Sequence, residues 1–384
     1  QPVAGVGAFA DWTNLNLRRP LINKLPNLGN IARTESSATM DYHSLQVVAR
    51  RKFAAGFDFL AAYTYGKTLT DNLGYYGSGL TAVQRAGTAA SLVARGGSVV
   101  FLHSTSARPD DLFALDPGTG QSRRLTQLND ALLAQLDLGK SEEYWFEGAA
   151  GARVHGWLYF PPGYDASQRY PLVQLMHGGP HTMNRDAWSY RWNAHVLAAP
   201  GYVVTWVNRH GSTGFGEKFS QSILGQWGDK PLEDILKSTD FLLARMPNLD
   251  PKRLAAAGAS YGGYMAAWVA GHTDRFACIV NHAGVNEFIT QFGADITSFG
   301  FTQVLGGRPW ENPEGMQRNN PTTYARNFRT PMLIIHGEKD YRVPYANGTA
   351  LYGIYQAMGL PSRLVIFPDE NHWILSPQNS IYWN

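Results

Sequence analysis

The stretch Gly258-Ala259-Ser260-Tyr261-Gly262-Gly263-Tyr264 decides the fold of this chain. A short apolar run, residues 253–257, precedes it, and residues 265–270 after it have the composition of a helix. A strand that turns sharply into a helix at G-x-S-x-G holds its serine in a strained backbone conformation, so the hydroxyl projects above the sheet. The flanking glycines are needed because a Cβ atom there would collide with neighbouring backbone. The stretch therefore predicts a serine nucleophile, Ser260, between a strand and a helix.

Apolar runs and amphipathic segments alternate in the chain after about residue 127. The runs that predict buried strands of a parallel sheet are residues 171–177, 202–207, 277–280, 331–336 and 364–367. Residues 154–160 have the pattern of an edge strand, and residues 231–245 have that of an amphipathic helix beginning at Pro231. The pattern predicts an α/β fold with an open, doubly wound, mostly parallel sheet over residues 127–384.

The chain before this region has a different, β-rich character. Residues 42–48 and 57–65 alternate polar and apolar side chains around a turn, which predicts a β-hairpin with exposed aromatic residues. Together with residues 28–31, this hairpin resembles part of the barrel of TonB-dependent outer-membrane receptors. A hairpin from a soluble β module stays open as the alternative. We assign residues 1–80 to this segment.

A second β-rich segment, residues 81–126, follows. Short strands at residues 98–103 and 111–116, a turn at 117–120 and a third short segment resemble one blade of a β-propeller. A propeller repeats this unit several times, whereas the sequence contains it once. We therefore expect three parts: the hairpin segment, the remnant of a blade, and the α/β region.

Composition excludes several functions. The net charge of +3 is small and the basic residues are scattered, so nucleic acid is not an expected partner. The single cysteine, Cys278, rules out an internal disulfide and lies in an apolar run that predicts burial. Histidine, cysteine and glutamate do not cluster at metal-ligand spacing, so we do not expect a metal-dependent hydrolase. No apolar run reaches the length of a transmembrane helix.

Candidate partners for the serine follow two later predicted strands. A serine nucleophile needs a base, and the base needs an acid that orients it. In this type of sheet the acid precedes the histidine in the chain. Asp340 and His372 follow successive strands, so we predict them as acid and base. Glu338 stays open as the acid, while Asp369 and Glu370 would have to fold back on the histidine.

The oxyanion of the reaction needs two hydrogen-bond donors that are fixed in advance. One predicted donor is the backbone N–H of Tyr261, the residue after the serine. The other is expected from the glycine loop at residues 177–180, where backbone can approach a substrate closely. We interpret His177 and His336, which lie at strand ends, as hydrogen-bonded structural residues.

The motifs from Glu142 onward resemble one family. They are, in chain order, Gly156-Trp157-Leu158, His177-Gly178-Gly179-Pro180, residues 208–216, Gln226-Trp227-Gly228-Asp229, residues 258–264, residues 271–276, residues 336–344 and residues 367–373. Together they are similar to the prolyl oligopeptidase family of serine peptidases, which have the α/β-hydrolase fold. The acylaminoacyl-peptidase and dipeptidyl-peptidase V branch is the most similar part of that family.

The resemblance implies a function and a set of site residues. The set consists of the triad Ser260, Asp340 and His372, the oxyanion donors Gly179 and Tyr261, and the substrate-binding residues Arg342 and Tyr264. Arg342 is expected to hold a substrate carbonyl one residue beyond the scissile bond. The implied activity is that of a cofactor-free serine hydrolase that forms an acyl-enzyme and cleaves short or N-terminally blocked peptides.

The reduced propeller puts the selectivity of the family in doubt for this chain. In the family the propeller gates access and helps to read the peptide N-terminus, so a preference for dipeptides or acylated peptides does not carry over. A carboxylesterase acting on small acyl or aryl esters stays open, as does a non-catalytic binding module. The oligomeric state stays open too, and the resemblance suggests a periplasmic or secreted protein, with the cytoplasm as the alternative.

Overall fold

The structure is a computed structural model that describes residues 40–52, 58–70, 87–95, 98–116, 118–295 and 304–383. The chain divides into two units, Gln1–Tyr75 and Tyr76–Asn384. In the first unit, strands β1 (Met40–Lys52) and β2 (Asp58–Thr70) pair antiparallel along their whole length. The predicted hairpin strands are therefore confirmed. Residues 28–31, the turn at 54–56 and the exposure of the aromatic side chains lie outside what is described.

The first described part of the second unit is a four-stranded antiparallel sheet. Its strands are β3 (Thr88–Arg95), β4 (Ser98–Thr105), β5 (Arg108–Asp116) and β6 (Gln121–Arg124). Each strand pairs with the next along the chain, which is the meander expected of one propeller blade. The sequence pattern had not predicted β3.

The main sheet of the second unit has eight strands. They are β7 (Ser141–Glu147), β8 (Arg153–Tyr159), β9 (Tyr170–Met176), β10 (Val203–Asn208), β11 (Leu249–Ala259), β12 (Cys278–His282), β13 (Met332–Gly337) and β14 (Ser362–Phe367). Their order across the sheet is β14-β13-β12-β11-β9-β10-β8-β7. All neighbours are parallel except those of β8, which is antiparallel to both β10 and β7. The predicted doubly wound, mostly parallel α/β sheet is confirmed.

One detail of the sheet corrects the sequence analysis. β8 was expected at an edge, but β7 pairs with it and forms the edge itself. The sequence of β7, Ser-Glu-Glu-Tyr-Trp-Phe-Glu, buries Tyr144 and Phe146 on one face and exposes Glu143 and Glu147 on the other. This alternation is typical of a strand with one solvated face.

Helices cover both faces of the sheet. The α-helices are Asp130–Leu133, Ala194–Ala198, Glu217–Gln221, Asp229–Arg245, Tyr261–His272, Phe288–Gln291, Pro313–Asn319, Ala346–Ala357 and Pro377–Trp383, and the 3₁₀ helices are Ala149–Gly151 and Pro321–Asn327. The predicted amphipathic helix is confirmed as Asp229–Arg245, which buries Ile235 and Leu242. Among the described residues, every helix falls short of the length or the apolarity that a membrane crossing requires.

The core lies between the sheet and the helix Tyr261–His272. Eleven of the twelve residues of that helix are buried, including Trp268. The expectation that Cys278 is buried was wrong, because this residue is the first of β12 and its side chain is exposed. Within the predicted run 277–280, Ile279 is buried, Val280 is partly buried and Ala277 is exposed.

Candidate active site

Ser260 lies at the sharp turn between β11 and the helix Tyr261–His272. Its backbone has φ 60° and ψ −119°, a conformation that costs a non-glycine residue free energy and is common at functional sites. Two hydrogen bonds hold the turn: the Ser260 N–H donates to the His282 carbonyl (2.9 Å), and the Tyr264 N–H donates to the Ser260 carbonyl (2.9 Å). The predicted strand–serine–helix geometry is therefore present.

The glycines on either side of the serine allow this turn to pack. A Cβ atom on Gly258 would lie 2.4 Å from the carbonyl oxygen of Gly262. A Cβ atom on Gly262 would lie 1.9 Å from the carbonyl oxygen of Met176, at the end of β9. Both positions therefore need glycine for close backbone approach, as the sequence predicted.

Asp340 and His372 lie beside each other after β13 and β14. Nδ1 of His372 is 2.6 Å from Oδ2 of Asp340. The other carboxylate oxygen, Oδ1, accepts backbone N–H groups from Arg342 (2.9 Å) and Val343 (2.8 Å). Burial disfavours the charged form, but hydrogen bonds from His336 and His372 and the Val343 N–H outweigh it and hold the pKa of Asp340 well below its usual range. The carboxylate is therefore ionised and fixed against the imidazole.

The competing carboxylates lie elsewhere. Glu338 is exposed, so the structure brings Asp340 rather than Glu338 against His372. Asp369 forms an ion pair with Lys339 at 2.9 Å on the surface. Glu370 accepts hydrogen bonds from residues that follow the histidine, the backbone N–H groups of Leu375 and Ser376 and the side chain of Asn379. Neither Asp369 nor Glu370 folds back on His372.

The glycine loop at residues 178–180 lies next to the serine. A Cβ atom on Gly178 would lie 3.3 Å from Cβ of Ser260. Gly179 has φ +119°, a conformation that favours glycine. The Tyr261 N–H belongs to the first turn of its helix, where N–H groups have no carbonyl acceptor within the helix. The two predicted oxyanion donors thus belong to two segments that meet at Ser260.

His177 and His336 have the structural environments that we predicted. Both are buried, and Nε2 of His177 lies 2.8 Å from the hydroxyl of Ser212. Nε2 of His336 lies 2.8 Å from the carbonyl oxygen of Val343, and 3.4 Å from Oδ2 of Asp340. The longer contact is the hydrogen bond from His336 that contributes to the low pKa of Asp340.

Arg209 contributes to the site, although sequence analysis assigned it no role. Its guanidinium is fully buried, donates from Nη2 to the His177 carbonyl (2.8 Å) and lies 4.3 Å from the centre of the Tyr261 ring. The signal available in the sequence was the segment 208–216, which was noted only for its resemblance.

The two predicted substrate-binding residues differ in position. Arg342 is partly exposed, with Nε donating to Oδ1 of Asp295 at 2.8 Å, and it lines the same cavity as Ser260. The prediction that Tyr264 binds substrate is corrected, because its side chain is fully buried and does not line the cavity. It packs between Trp227 and Trp268, with ring-centre distances of 4.8 Å and 5.6 Å. Tyr264 is therefore part of the core.

A cavity of about 590 Å³ joins these groups. Ser260 and His372 both line it. An apolar part of the wall is formed by side chains from three different loops, Trp227, Val285 and Val343. Small-molecule sites have this size and this mixture of apolar wall and few polar groups. Among the described residues, no group of three or more His, Cys, Asp or Glu side chains could hold a metal ion.

The chain is similar to known peptidases in sequence. The family model for the prolyl oligopeptidase family matches residues 188–384, and one for an outer membrane beta barrel domain matches residues 1–96. Dipeptidyl-peptidase 5 of Schizosaccharomyces pombe is 39% identical over 263 residues, which are 67% of this chain and 38% of that protein. Dipeptidyl-peptidase 5 of Porphyromonas gingivalis is 36% identical, over 72% of this chain and 41% of that protein.

Solved structures share the fold. The acylaminoacyl peptidase of Pyrococcus horikoshii superposes with a TM-score of 0.72 at 24% identity, covering 88% of this chain and 52% of that one. The chain spans about two fifths of the length of the curated relatives that it matches. The match of the family model over half of the chain agrees with the strand–serine–helix turn and with the doubly wound sheet. This chain therefore belongs to the prolyl oligopeptidase family of serine peptidases.

Proposed function

We propose that this chain hydrolyses short peptides through an acyl-enzyme, with Ser260 as nucleophile, His372 as base and Asp340 as the orienting acid. One observation carries the proposal. The strained Ser260 lines the same cavity as His372, and Nδ1 of His372 is 2.6 Å from a buried, ionised carboxylate. A serine, an imidazole and a fixed carboxylate in this arrangement are the parts that acyl transfer requires.

In the proposed reaction, each of these groups carries out one step. Nδ1–H of His372 donates to Asp340, which leaves Nε2 as the acceptor for the proton of Ser260. As the imidazolium forms, the Asp340 carboxylate stabilises its charge. The backbone N–H groups of Tyr261 and Gly179 stabilise the oxyanion. His372 then returns the proton to the leaving amine, and water releases the acyl group.

The substrate class is argued from the cavity and from the relatives. Nε of Arg342 donates to Asp295, and among the described residues neither Nη group forms a hydrogen bond, so both can donate to a substrate carbonyl. The apolar wall at Val285 and Val343 suits an apolar side chain. The names of the relatives, dipeptidyl-peptidase 5, support a peptide substrate for this chain.

Labelling with a fluorophosphonate probe tests the proposal, because the probe phosphonylates an activated serine and leaves ordinary ones unmodified. We expect one adduct by intact mass, located on Ser260 by peptide mapping. Ser260→Ala should abolish it, while Ser167→Ala, at an exposed serine in the β8–β9 loop, should keep it. A wild-type protein without an adduct would instead favour a non-catalytic binding module. Turnover of peptide anilides against p-nitrophenyl esters then distinguishes a peptidase from a carboxylesterase.

A further inference from the structure

Arg191 lies in the wall of the cavity, three residues before the helix Ala194–Ala198. It is half-buried, and its Nη1 donates to the carbonyl oxygen of Trp373 at 3.2 Å. In the part of the chain that the structure describes, its guanidinium forms no ion pair with a carboxylate. Burial alone lowers its pKa, which agrees with the absence of a compensating acidic group among the described residues.

The other arginines near the site have partners. Arg342 is paired with Asp295, and Arg209 is enclosed by backbone carbonyls and the Tyr261 ring. The described residues that line the cavity include Arg191 and Arg342 but no aspartate or glutamate. A partly buried cation without a counter-ion is unfavourable unless a ligand supplies the negative charge. The cavity wall is therefore suited to an anionic group at Arg191.

The position of Arg191 indicates which part of a substrate it meets. Trp373, whose carbonyl accepts the Arg191 hydrogen bond, directly follows His372. His372 delivers its proton to the leaving amine, so the leaving part of the substrate lies on the side of this histidine. A cavity of about 590 Å³ has the size of a small-ligand site, so a peptide of few residues fills it. The leaving part of such a peptide soon ends in a carboxylate.

We propose that Arg191 binds the C-terminal carboxylate of the leaving segment, which makes the enzyme selective for peptides that end shortly after the scissile bond. The inference rests on the proposed serine peptidase function. Guanidinium and carboxylate can form two parallel hydrogen bonds, and such charge-assisted bonds are stronger than neutral ones. Amidation of the peptide C-terminus removes the charge while leaving the size almost unchanged.

The test uses two peptides with one residue after the scissile bond, identical except that one ends in a free acid and the other in an amide. Wild type should prefer the acid in kcat/KM by about tenfold or more. Arg191→Gln should bring the ratio of kcat/KM for acid to that for amide close to one. Arg191→Lys should recover part of the preference for the acid, because lysine restores the positive charge but not the planar guanidinium. Arg253→Gln, at an exposed arginine of β11, should keep the wild-type ratio.

Two results would overturn the inference: equal hydrolysis of acid and amide by wild type, or an Arg191→Gln variant that loses both activities equally and keeps the ratio. In the second case Arg191 would only support the loop of His372. If an ester is hydrolysed but neither peptide is, the same two peptides are tested as inhibitors of ester turnover. The ratio of their two inhibition constants then replaces the ratio of kcat/KM. Failure of the proposed function looks different, because then Ser260 is not labelled and the ester is not hydrolysed either.

Discussion

The guanidinium carbon of Arg209 lies 4.3 Å from the centre of the Tyr261 ring, while Nη2 of the same side chain donates to the His177 carbonyl. One buried cation thus joins the residue after Ser260 to the loop that carries Gly179. These two segments supply the proposed oxyanion donors. Their spacing therefore depends on a residue that does not itself contact the reacting atoms.

Arg209→Met should lower kcat on a p-nitrophenyl ester by about 10- to 100-fold, less than the loss on deleting an oxyanion donor outright. The reason is that the glycine loop and Tyr261 lose their common support. Arg209→Lys should not restore the rate, because an ammonium lacks the planar fork. Steady-state kinetics at saturating ester measures the effect. A variant with wild-type kcat and only a lower melting temperature would show that Arg209 serves stability alone.

Arg342→Ala should reduce kcat/KM for a peptide anilide by about 10- to 150-fold, the range for a hydrogen bond to a charged donor. A short acetate ester lacks the second carbonyl, so its hydrolysis should change far less. Asp295→Asn keeps the arginine and removes only its partner, so the peptide loss should be smaller there. Equal losses on peptide and ester would mean that Arg342 has a structural role.

Much of this site could be predicted because its residues follow strands at the same edge of a parallel sheet. Ser260, Asp340 and His372 each follow within five residues the end of an apolar run that forms a strand, and such runs are visible in a sequence. β7 was not predicted because it has one solvated face. The charged residues on that face interrupt the apolar run by which the other strands were predicted. β3 was missed because its alanines and serine give little periodicity.

Tyr264 shows why a side chain's direction was harder to predict. The helix Tyr261–His272 is apolar on all sides and buried on all sides, so periodicity does not distinguish the face toward the cavity from the face toward the core. Arg209 was missed for a related reason. A buried arginine has no sequence pattern of its own, and only the packed loop shows that it meets Tyr261.

His282 should make the protein less stable in acid. The side chain is buried against Trp192 and Trp383, and burial, with the nearby His336, His372 and Arg191, lowers its pKa to about 3. Between that value and about 6.5, the unfolded chain binds a proton that the folded chain does not. The free energy of unfolding should therefore fall as the pH drops through this window.

His282→Phe removes the titrating group and keeps an aromatic ring between the two tryptophans. Urea unfolding at about pH 7.5 and about pH 5 should show that wild type loses about 2 kcal/mol more than the variant over this interval. The same loss in both proteins would mean that His282 does not titrate as its surroundings imply.

The division of the chain into a hairpin segment, a blade remnant and a catalytic region of residues 127–384 stays a prediction, and truncation tests it. A protein starting near Thr81 should fold and keep its activity on small esters, because the eight-stranded sheet has its own core. The measurement is kcat/KM on one p-nitrophenyl ester, with size-exclusion elution, for both lengths. An insoluble or inactive short form would show that residues 1–80 are structurally required.

The identity of the acid in the triad can be tested by replacing each candidate carboxylate with its amide and measuring kcat/KM. Asp340→Asn should be severely impaired, because an amide favours the wrong tautomer of His372. Glu338→Gln is the matched control, since Glu338 lies two residues earlier and is exposed. A larger loss in Glu338→Gln than in Asp340→Asn would show that the acid is misassigned.

The most direct measurement is kcat/KM of Ser260→Ala on one p-nitrophenyl ester beside wild type. Loss of the nucleophile should remove nearly all turnover, leaving about 10³- to 10⁴-fold over water from binding and the oxyanion donors. Circular dichroism of the variant shows whether the fold is retained. A folded Ser260→Ala protein with substantial turnover would contradict the assignment of Ser260 as the nucleophile.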